Sequence, residues 1–218
     1  MRIEHEAAGY VPLFPAEEIS FILGAVLRCS AALRKKGATE YENRISDRLR
    51  KLLLRDSDLR ERPVYLDREA YVYDDTSDEE NAAGRLDFRF LYSTEGRQPW
   101  PYFAIEAKRL HVTFPSGPDP CVSEYVTGNQ GMMCFIDQRY AKGLTSGGVL
   151  GYVFDGDVDR ARVSVAVAIK KHGDKLKCVP PFAMVASAIV PGDSRVSETT
   201  HHLPHGDFTI YHLFVPVL

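Results

Sequence analysis

Two nearby segments, residues 85–92 and 102–108, indicate β-strands because apolar side chains recur at alternate positions in both. The residues between them, 93–101, are rich in turn formers. An antiparallel hairpin is the simplest arrangement for two strands joined by so short a connection. The remaining sequence has to fold around this hairpin.

The register of the hairpin brings charged residues together. A turn centred between Gly96 and Arg97 places Asp87 directly opposite Glu106, because both residues are equally far from that point. Side chains two positions apart on a strand share a face, so Glu106 and Lys108 project together. We therefore expect three charged side chains to converge on one face of the hairpin.

Such a group predicts a divalent-metal site. Two directly opposed carboxylates repel each other unless a cation lies between them. Mg²⁺ suits the pair because it prefers oxygen ligands and accepts one or two carboxylates while it keeps several waters. A bound ion polarises a phosphoryl oxygen and lowers the pKa of a coordinated water. Lys108 would stand beside that water and stabilise charge that develops on the phosphate.

An alternative interpretation of the hairpin needs no metal. Asp87 would pair with Lys108, and Arg89 with Glu106, as salt bridges exposed to solvent. The chain would then be an unrelated α/β interaction domain, and Asp87 and Glu106 would be free to lie on different faces.

The rest of the sequence predicts a mixed α/β domain, with a central sheet flanked by helices. Helices are indicated at 15–36, from Thr39, at 123–141 and at 157–171 (the last also suits a strand), and further strands at 64–73, 149–154, 182–190 and 208–217, with an acidic loop at 74–80. A chain of 218 residues with 44% hydrophobic residues is enough for one globular domain with a real core and hardly enough for two domains. We therefore expect a single domain, 1–218, made of an N-terminal helix (1–38), a core (39–155) and a C-terminal helix with strands (156–218).

The motif around the hairpin resembles a known signature. Asp87 followed by Glu106-Ala107-Lys108, on the second and third strands after a helix, is similar to the D…(D/E)-x-K signature of the PD-(D/E)XK (restriction-endonuclease-like) nuclease superfamily. The resemblance covers about residues 39–155. It implies an αβββαβ core within the α/β fold.

Two positions depart from that superfamily. Leu86 stands where its name-giving proline precedes the aspartate, and Cys134 stands where the RecB-like branch carries tyrosine. These departures concern the subfamily more than the metal centre.

The resemblance implies a function and a ligand set. Asp87, Glu106 and the Ala107 carbonyl would hold Mg²⁺, with Mn²⁺ as a possible substitute, and Lys108 would position the attacking water. The implied reaction is hydrolysis of phosphodiester bonds, with DNA as the expected substrate. The rival function is a non-catalytic adaptor that keeps the nuclease fold within a larger nucleic-acid-processing or defence complex.

Two further catalytic residues follow from the resemblance. Glu42 matches a glutamate that the preceding helix often contributes, and Gln130 matches a polar residue of the following helix. Each residue has an ordinary alternative role. Thr39 and Glu42 also form a capping box at a helix start, and Gln130 also suits an exposed helix position.

The basic residues Arg44, Arg48 and Lys51 border the predicted site and are expected to follow a nucleic-acid backbone. The alternative is that they form the solvated side of an amphipathic helix. The formal net charge of −3 argues mildly against a binder of the purely electrostatic kind.

Histidine and cysteine patterns favour no second metal site. His201, His202 and His205 are close in sequence, but no cysteine or carboxylate motif completes a zinc site, so we expect a strand-flanking loop there. The four cysteines are far apart and form no CxxC pair, which predicts reduced thiols in a cytoplasmic protein.

The expected partners follow from the same features. The charged N-terminal segment has no long apolar run, so neither a secretory signal nor a membrane partner is expected. Nucleic acid, DNA first, is the expected partner. The sequence is also compatible with a homodimer or with a protein partner that supplies specificity.

Overall fold

A computed structural model describes residues 14–67, 71–72, 84–93 and 101–218, and of 71–72 and 84–85 the backbone alone. The helices are α1 (Ala16–Ser30), α2 (Glu42–Leu53), α3 (Ser57–Arg60), α4 (Val122–Val126), α5 (Met133–Ile136) and α6 (Val158–Lys171). The strands are β1 (Val64–Asp67), β2 (Tyr71–Val72), β3 (Gly84–Arg85), β4 (Phe88–Tyr92), β5 (Tyr102–Leu110), β6 (Val112–Phe114), β7 (Gly117–Asp119), β8 (Ser146–Val153), β9 (Val185–Ala186), β10 (Val196–Leu203) and β11 (Gly206–Pro216).

Seven strands form one mixed sheet in the order β1-β4-β5-β8-β11-β10-β9. Strands β1, β4 and β5 form an antiparallel meander, whereas β5, β8 and β11 are parallel neighbours. Strands β10 and β9 continue the sheet with antiparallel pairing. The predicted α/β class with a central mixed sheet is confirmed.

Helices cover both faces of this sheet, and β5 shows the division most clearly. Phe103, Ile105 and Ala107 belong to a core that includes the apolar faces of α1 and α2. Ala104 and Leu110, which point the other way, belong to a second core that includes α4, α5 and α6. A strand buried on both faces leaves little room for charged side chains, yet β5 carries Glu106 and Lys108 in its second half.

The segment 123–141, predicted as one helix, instead forms α4 and α5 with a turn between them. Gly131 explains the break, because its φ of +71° lies in the left-handed region. A Cβ atom at this position would lie 2.4 Å from the Tyr125 carbonyl oxygen. That carbonyl accepts a hydrogen bond from the Met132 backbone N–H at 3.0 Å, which closes the turn.

Several other predicted boundaries also differ. Helix α1 ends at Ser30 rather than near residue 36, and only β9 forms within 182–190. Strand β10 was not predicted, because its sequence VSETTHHL is mostly polar and lacks an apolar period. Helix α6 confirms the helical interpretation of 157–171, and Asp157 caps it by accepting the Arg160 N–H at 3.0 Å.

Some sequence predictions concern residues outside the described ranges. The acidic loop at 74–80 and the tip of the hairpin at 94–100 both lie outside them. Among the described residues, no helix combines the length and the apolar character that a membrane crossing needs. All four cysteines are free thiols.

The clustered histidines do not converge on a metal site. His201 is fully buried on β10, whereas His202 is exposed and contacts Asp207, and His205 is exposed in the turn that follows. Within the described part of the chain, no group of three or more His, Cys, Asp or Glu side chains is arranged to hold a metal ion.

His201 belongs instead to a buried hydrogen-bonded chain. Its Nδ1 lies 2.8 Å from the Leu176 carbonyl and its Nε2 lies 2.7 Å from Thr199 Oγ1, which lies 2.9 Å from His212 Nε2. Tyr125 Oη lies 3.1 Å from His212 Nδ1. A carbonyl only accepts, and the threonine has one proton. One direction therefore fits for three links: His212 donates to Thr199, Thr199 to His201, and His201 to Leu176. The Tyr125 hydroxyl donates its single proton to the Val149 carbonyl at 3.0 Å.

These buried rings predict an acid-sensitive fold. Burial lowers the pKa of His201 to about 4 and that of His212 to about 3, from an ordinary value of 6.5. Both rings therefore stay neutral in the folded protein, while the unfolded chain takes up protons below about pH 6.5. Their contribution to stability is complete above that pH. It falls by on the order of 1.4 kcal/mol per pH unit for each ring as the pH drops towards 4.

Urea unfolding between pH 7 and pH 4 measures this effect. We expect His212→Gln to flatten the pH dependence of the unfolding free energy, while His202→Gln, a change at an exposed histidine, leaves the parent slope unchanged. Other titrating groups are common to all three proteins and cancel in the comparison. Equal slopes for the parent and His212→Gln would contradict the assignment.

Candidate metal centre

The hairpin has the register that the sequence predicts. Phe88 pairs with Ile105, and Arg89 pairs with Ala104, which is the alignment that sets Asp87 against Glu106. The ladder ends at Phe88, and the chain bends at Asp87. Beyond the last backbone pair, the Asp87 side chain supplies the next hydrogen bond to β5, because its Oδ2 accepts the Ala107 backbone N–H at 2.8 Å.

Glu106 and Lys108 lie on the same side of β5, as expected from their spacing, and both are buried. Glu106 is 3% exposed and Lys108 is 5% exposed. Lys108 Nζ donates to Glu106 Oε1 at 2.9 Å. The pair is therefore an ion pair inside the protein rather than a feature of an exposed hairpin.

Glu42 reaches this pair from the first residue of α2. Its Oε1 accepts a hydrogen bond from Lys108 Nζ at 3.3 Å, and its Oε2 lies 3.3 Å from Arg109 Nε. The capping-box alternative is wrong, because α2 begins at Glu42 itself and is preceded by Tyr41. The two cations hold the Glu42 carboxylate at the centre instead.

The electrostatics reflect three carboxylates that crowd around one ammonium group. Burial first, and then the neighbouring Asp87 charge, raise the pKa of Glu106 to about 7 against the lowering effect of Lys108. Burial also raises the pKa of Asp87, against the lowering effects of the Ala107 N–H and Lys108. Burial alone would lower the pKa of Lys108, but Glu106 and Glu42 outweigh it and raise that pKa above its ordinary value.

One atom of this group has an unmet requirement. Glu106 Oε2 is buried and has no hydrogen-bond partner among the described residues. Leaving a buried carboxylate oxygen unpaired is unfavourable, so such an atom is a natural position for a cation. The backbone N–H and C=O of one residue point to the same side of a strand. The Ala107 carbonyl therefore faces the same edge as the Asp87 carboxylate, and carboxylate and carbonyl oxygens are the ligand types that Mg²⁺ accepts.

The salt bridges proposed for the metal-free hairpin are not the ones that form. Arg89 pairs with Asp67 on the neighbouring strand β1 rather than with Glu106. Lys108 pairs with Glu106 and Glu42 rather than with Asp87. The exposed hairpin is thus replaced by a buried cluster, in which the Asp87 and Glu106 charges act on each other.

Gln130 is not on a helix that faces this cluster. It lies exposed in the turn between α4 and α5, where its Oε1 accepts a hydrogen bond from Cys134 Sγ at 3.4 Å. The prediction was wrong about its helix, because the turn at Gly131 redirects the chain. Cys134 and Tyr140 lie nearer to the cluster instead. Burial is the larger cause that raises the pKa of both side chains, and the Glu106 charge raises it further.

Arg50 is a neighbour of the centre that the sequence did not single out. Its Nη2 donates to the Asp87 backbone carbonyl at 2.6 Å, and its guanidinium lies 5.6 Å from the centre of the Phe88 ring. These contacts hold the bend that turns the Asp87 side chain towards Ala107. Arg50 follows Glu42 by eight residues, which is a little over two helical turns along α2. This helical spacing is the one signal in the sequence that could have identified it.

The three predicted nucleic-acid contacts lie elsewhere on α2. Arg44 and Lys51 are exposed, away from the buried face formed by Ile45, Ser46, Leu49 and Leu53. The Arg48 guanidinium already has partners within the protein, because it donates to the Glu40 carboxylate at 2.7 and 2.8 Å and to the Arg34 carbonyl at 3.0 Å.

Comparisons with protein-family models, with curated proteins and with solved structures gave no match to this chain.

The burial of Lys108 predicts a large loss of stability on its removal. Lys108→Met leaves Glu106 and Glu42 without their shared cation, and breaking a buried pair in this way costs about 3 to 5 kcal/mol. Arg162→Ala is the control, because Arg162 and Asp159 form an exposed pair that contributes at most about 1 kcal/mol. Urea unfolding followed by circular dichroism measures both losses.

A second variant separates charge from packing. If an unpaired charge causes the loss, Lys108→Met combined with Glu106→Gln should recover a large part of it. A loss for Lys108→Met no greater than that for Arg162→Ala would show that the pair contributes little to the fold.

Proposed function

We propose that this protein is a metal-dependent nuclease that hydrolyses phosphodiester bonds, with DNA as the first expected substrate. The observation that carries the proposal is the buried group of Asp87, Glu106 and Lys108, in which Glu106 Oε2 has no partner among the described residues. A structural salt bridge requires neither a third charged group nor an oxygen without a partner. A cation bound beside Asp87 and Glu106 would use both, because it would offset the repulsion between the two carboxylates and pair with this oxygen.

The element order supports a restriction-endonuclease-like αβββαβ core as the framework. Helix α2 is followed by the antiparallel strands β1, β4 and β5, then by α4 and α5, and then by β8 parallel to β5. In this proposal the Asp87 bend and the charged half of β5 occupy the metal-binding positions of that core.

Asp87, Glu106 and the Ala107 carbonyl would hold Mg²⁺ or Mn²⁺. The ion would supply an electrophile for a phosphoryl oxygen and a water of lowered pKa. Lys108 carries a fixed positive charge beside Glu106, where it can stabilise negative charge on the substrate phosphate and orient a nucleophilic water. Glu42 positions Lys108 through their contact, and Arg50 holds the backbone at Asp87.

A non-catalytic adaptor is the second candidate, and one observation favours it. Lys108 already lies within hydrogen-bond distance of two of the three carboxylates, so the cluster is partly charge-compensated by the protein itself. An adaptor would keep this cluster as a structural element and would bind nucleic acid or a protein partner without cleaving. The four free thiols support a reducing compartment such as the cytoplasm for either function.

Asp87→Asn tests the proposal at a position where the fold should survive. The asparagine oxygen still accepts the Ala107 N–H, but the charge that binds the ion is gone. We expect Mg²⁺ or Mn²⁺ affinity and cleavage of DNA to fall by about 100-fold or more, because a direct ligand should matter at least as much as the residues that orient ligands. Calorimetric titration and a gel-based cleavage assay measure the two effects.

Asp159→Asn is the matched control, since Asp159 is an exposed carboxylate on α6 and its change should leave both activities unchanged. A catalytic test at Lys108 should use Lys108→Arg, which keeps the buried positive charge but alters its geometry. A parent protein that binds neither Mg²⁺ nor Mn²⁺ and cleaves neither DNA nor RNA would reject the nuclease in favour of the adaptor.

A further inference from the structure

An exposed aromatic ring lies beside the candidate centre. Tyr41, which immediately precedes α2, is 66% exposed. The Arg109 guanidinium lies 5.5 Å from its ring centre and 5.6 Å from that of Phe114, so the cation is close to both rings. Arg109 also contacts Glu42, with Nε 3.3 Å from Oε2. One arginine therefore links the ring to the centre.

A basic row continues from this ring along α2. Tyr41 directly precedes α2, in which Arg44, Arg48 and Lys51 are spaced by four and three positions, a spacing that keeps side chains on one side of a helix. Arg44 and Lys51 are separated by about 10 Å along the helix axis. That is the length of about three stacked nucleotides of one strand.

The row also borders a cleft. Arg48 and Lys51 line one wall of a cavity of about 340 Å³, and Arg34 and Lys36, from the segment between α1 and α2, line the other. Among these four cationic side chains, only that of Arg48 forms a salt bridge within the described residues, with Glu40. Glu40 also accepts the Lys36 backbone N–H at 2.7 Å, which leaves the Lys36 ammonium outside this ion pair. The cleft is therefore locally basic, although the whole chain has a net charge of −3.

We propose that this surface binds single-stranded nucleic acid, with the backbone along the basic cleft and an unpaired base stacked on Tyr41. Single-strand sites combine a basic groove with aromatic rings on which bases stack. A base in a duplex already stacks on its neighbours, so it can reach an exposed ring only if it is unpaired. This inference specifies the substrate class of the proposed nuclease and rests on that function for its link to hydrolysis.

Binding without divalent metal tests the surface apart from catalysis. The probes are a fluorescein-labelled oligodeoxythymidylate and a labelled duplex, titrated in EDTA and followed by fluorescence anisotropy. We expect the single strand to bind more tightly than the duplex. Tyr41→Ala should weaken single-strand binding about 5- to 150-fold, whereas Tyr41→Phe should retain it. Tyr65→Ala, at another exposed tyrosine, is the matched control and should change nothing.

The basic row has its own measurement. Lys51→Gln should lower the slope of log affinity against log salt concentration by about 0.7, the value for one lost phosphate contact on a single strand. Lys170→Gln, at an exposed lysine of α6, should leave the slope unchanged.

The outcomes separate this inference from the proposed nuclease. Tighter binding to the duplex, or equal losses for Tyr41→Ala and Tyr65→Ala, would overturn the inference even if the protein cleaves DNA with Mg²⁺. Single-strand binding that depends on Tyr41 and Lys51 would support it even if no cleavage is found, and the adaptor function would then take the place of the nuclease.

Discussion

Charged side chains on a strand that is buried on both faces must find their partners inside the protein. Glu106 and Lys108 satisfy this requirement by binding each other, and Asp87 satisfies it with the Ala107 N–H. Glu42 then has to meet Lys108 from α2. The start of α2, the end of the β4 ladder and the exposed tyrosine beside them are consequently arranged around the second half of β5.

The same requirement sets stability against function at this position. Three carboxylates share one lysine, and burial, with their mutual repulsion as a smaller cause, raises the pKa of Asp87 and of Glu106. Replacing one of them with a neutral group would relieve this repulsion and also remove a candidate ligand, a conflict that is common at functional sites. Both the nuclease and the adaptor are compatible with the geometry, but an adaptor gains nothing from a Glu106 oxygen that has no hydrogen-bond partner among the described residues.

The parts of the site that were predictable from sequence are those that depend on local periodicity. The period of two in a strand gave the shared side of Glu106 and Lys108, and the symmetry of the hairpin gave the register of Asp87. Gln130 was misplaced because one glycine conformation redirects its segment. Arg50 was not identified because its contact with the Asp87 carbonyl depends on how α2 lies against the sheet, which is a tertiary property. Strand β10 had no apolar period to reveal it.

The position of β11 has a consequence for how the protein is made. This strand, formed by Gly206–Pro216, lies between β8 and β10, although both of these precede it in sequence. During synthesis β8 is therefore made well before its partner β11, and its hydrogen-bonding edge stays open until β11 fills it. The two halves of the sheet join when β11 leaves the exit tunnel. Co-translational folding can build the β1-β4-β5 meander early, but the sheet that supports the centre closes last.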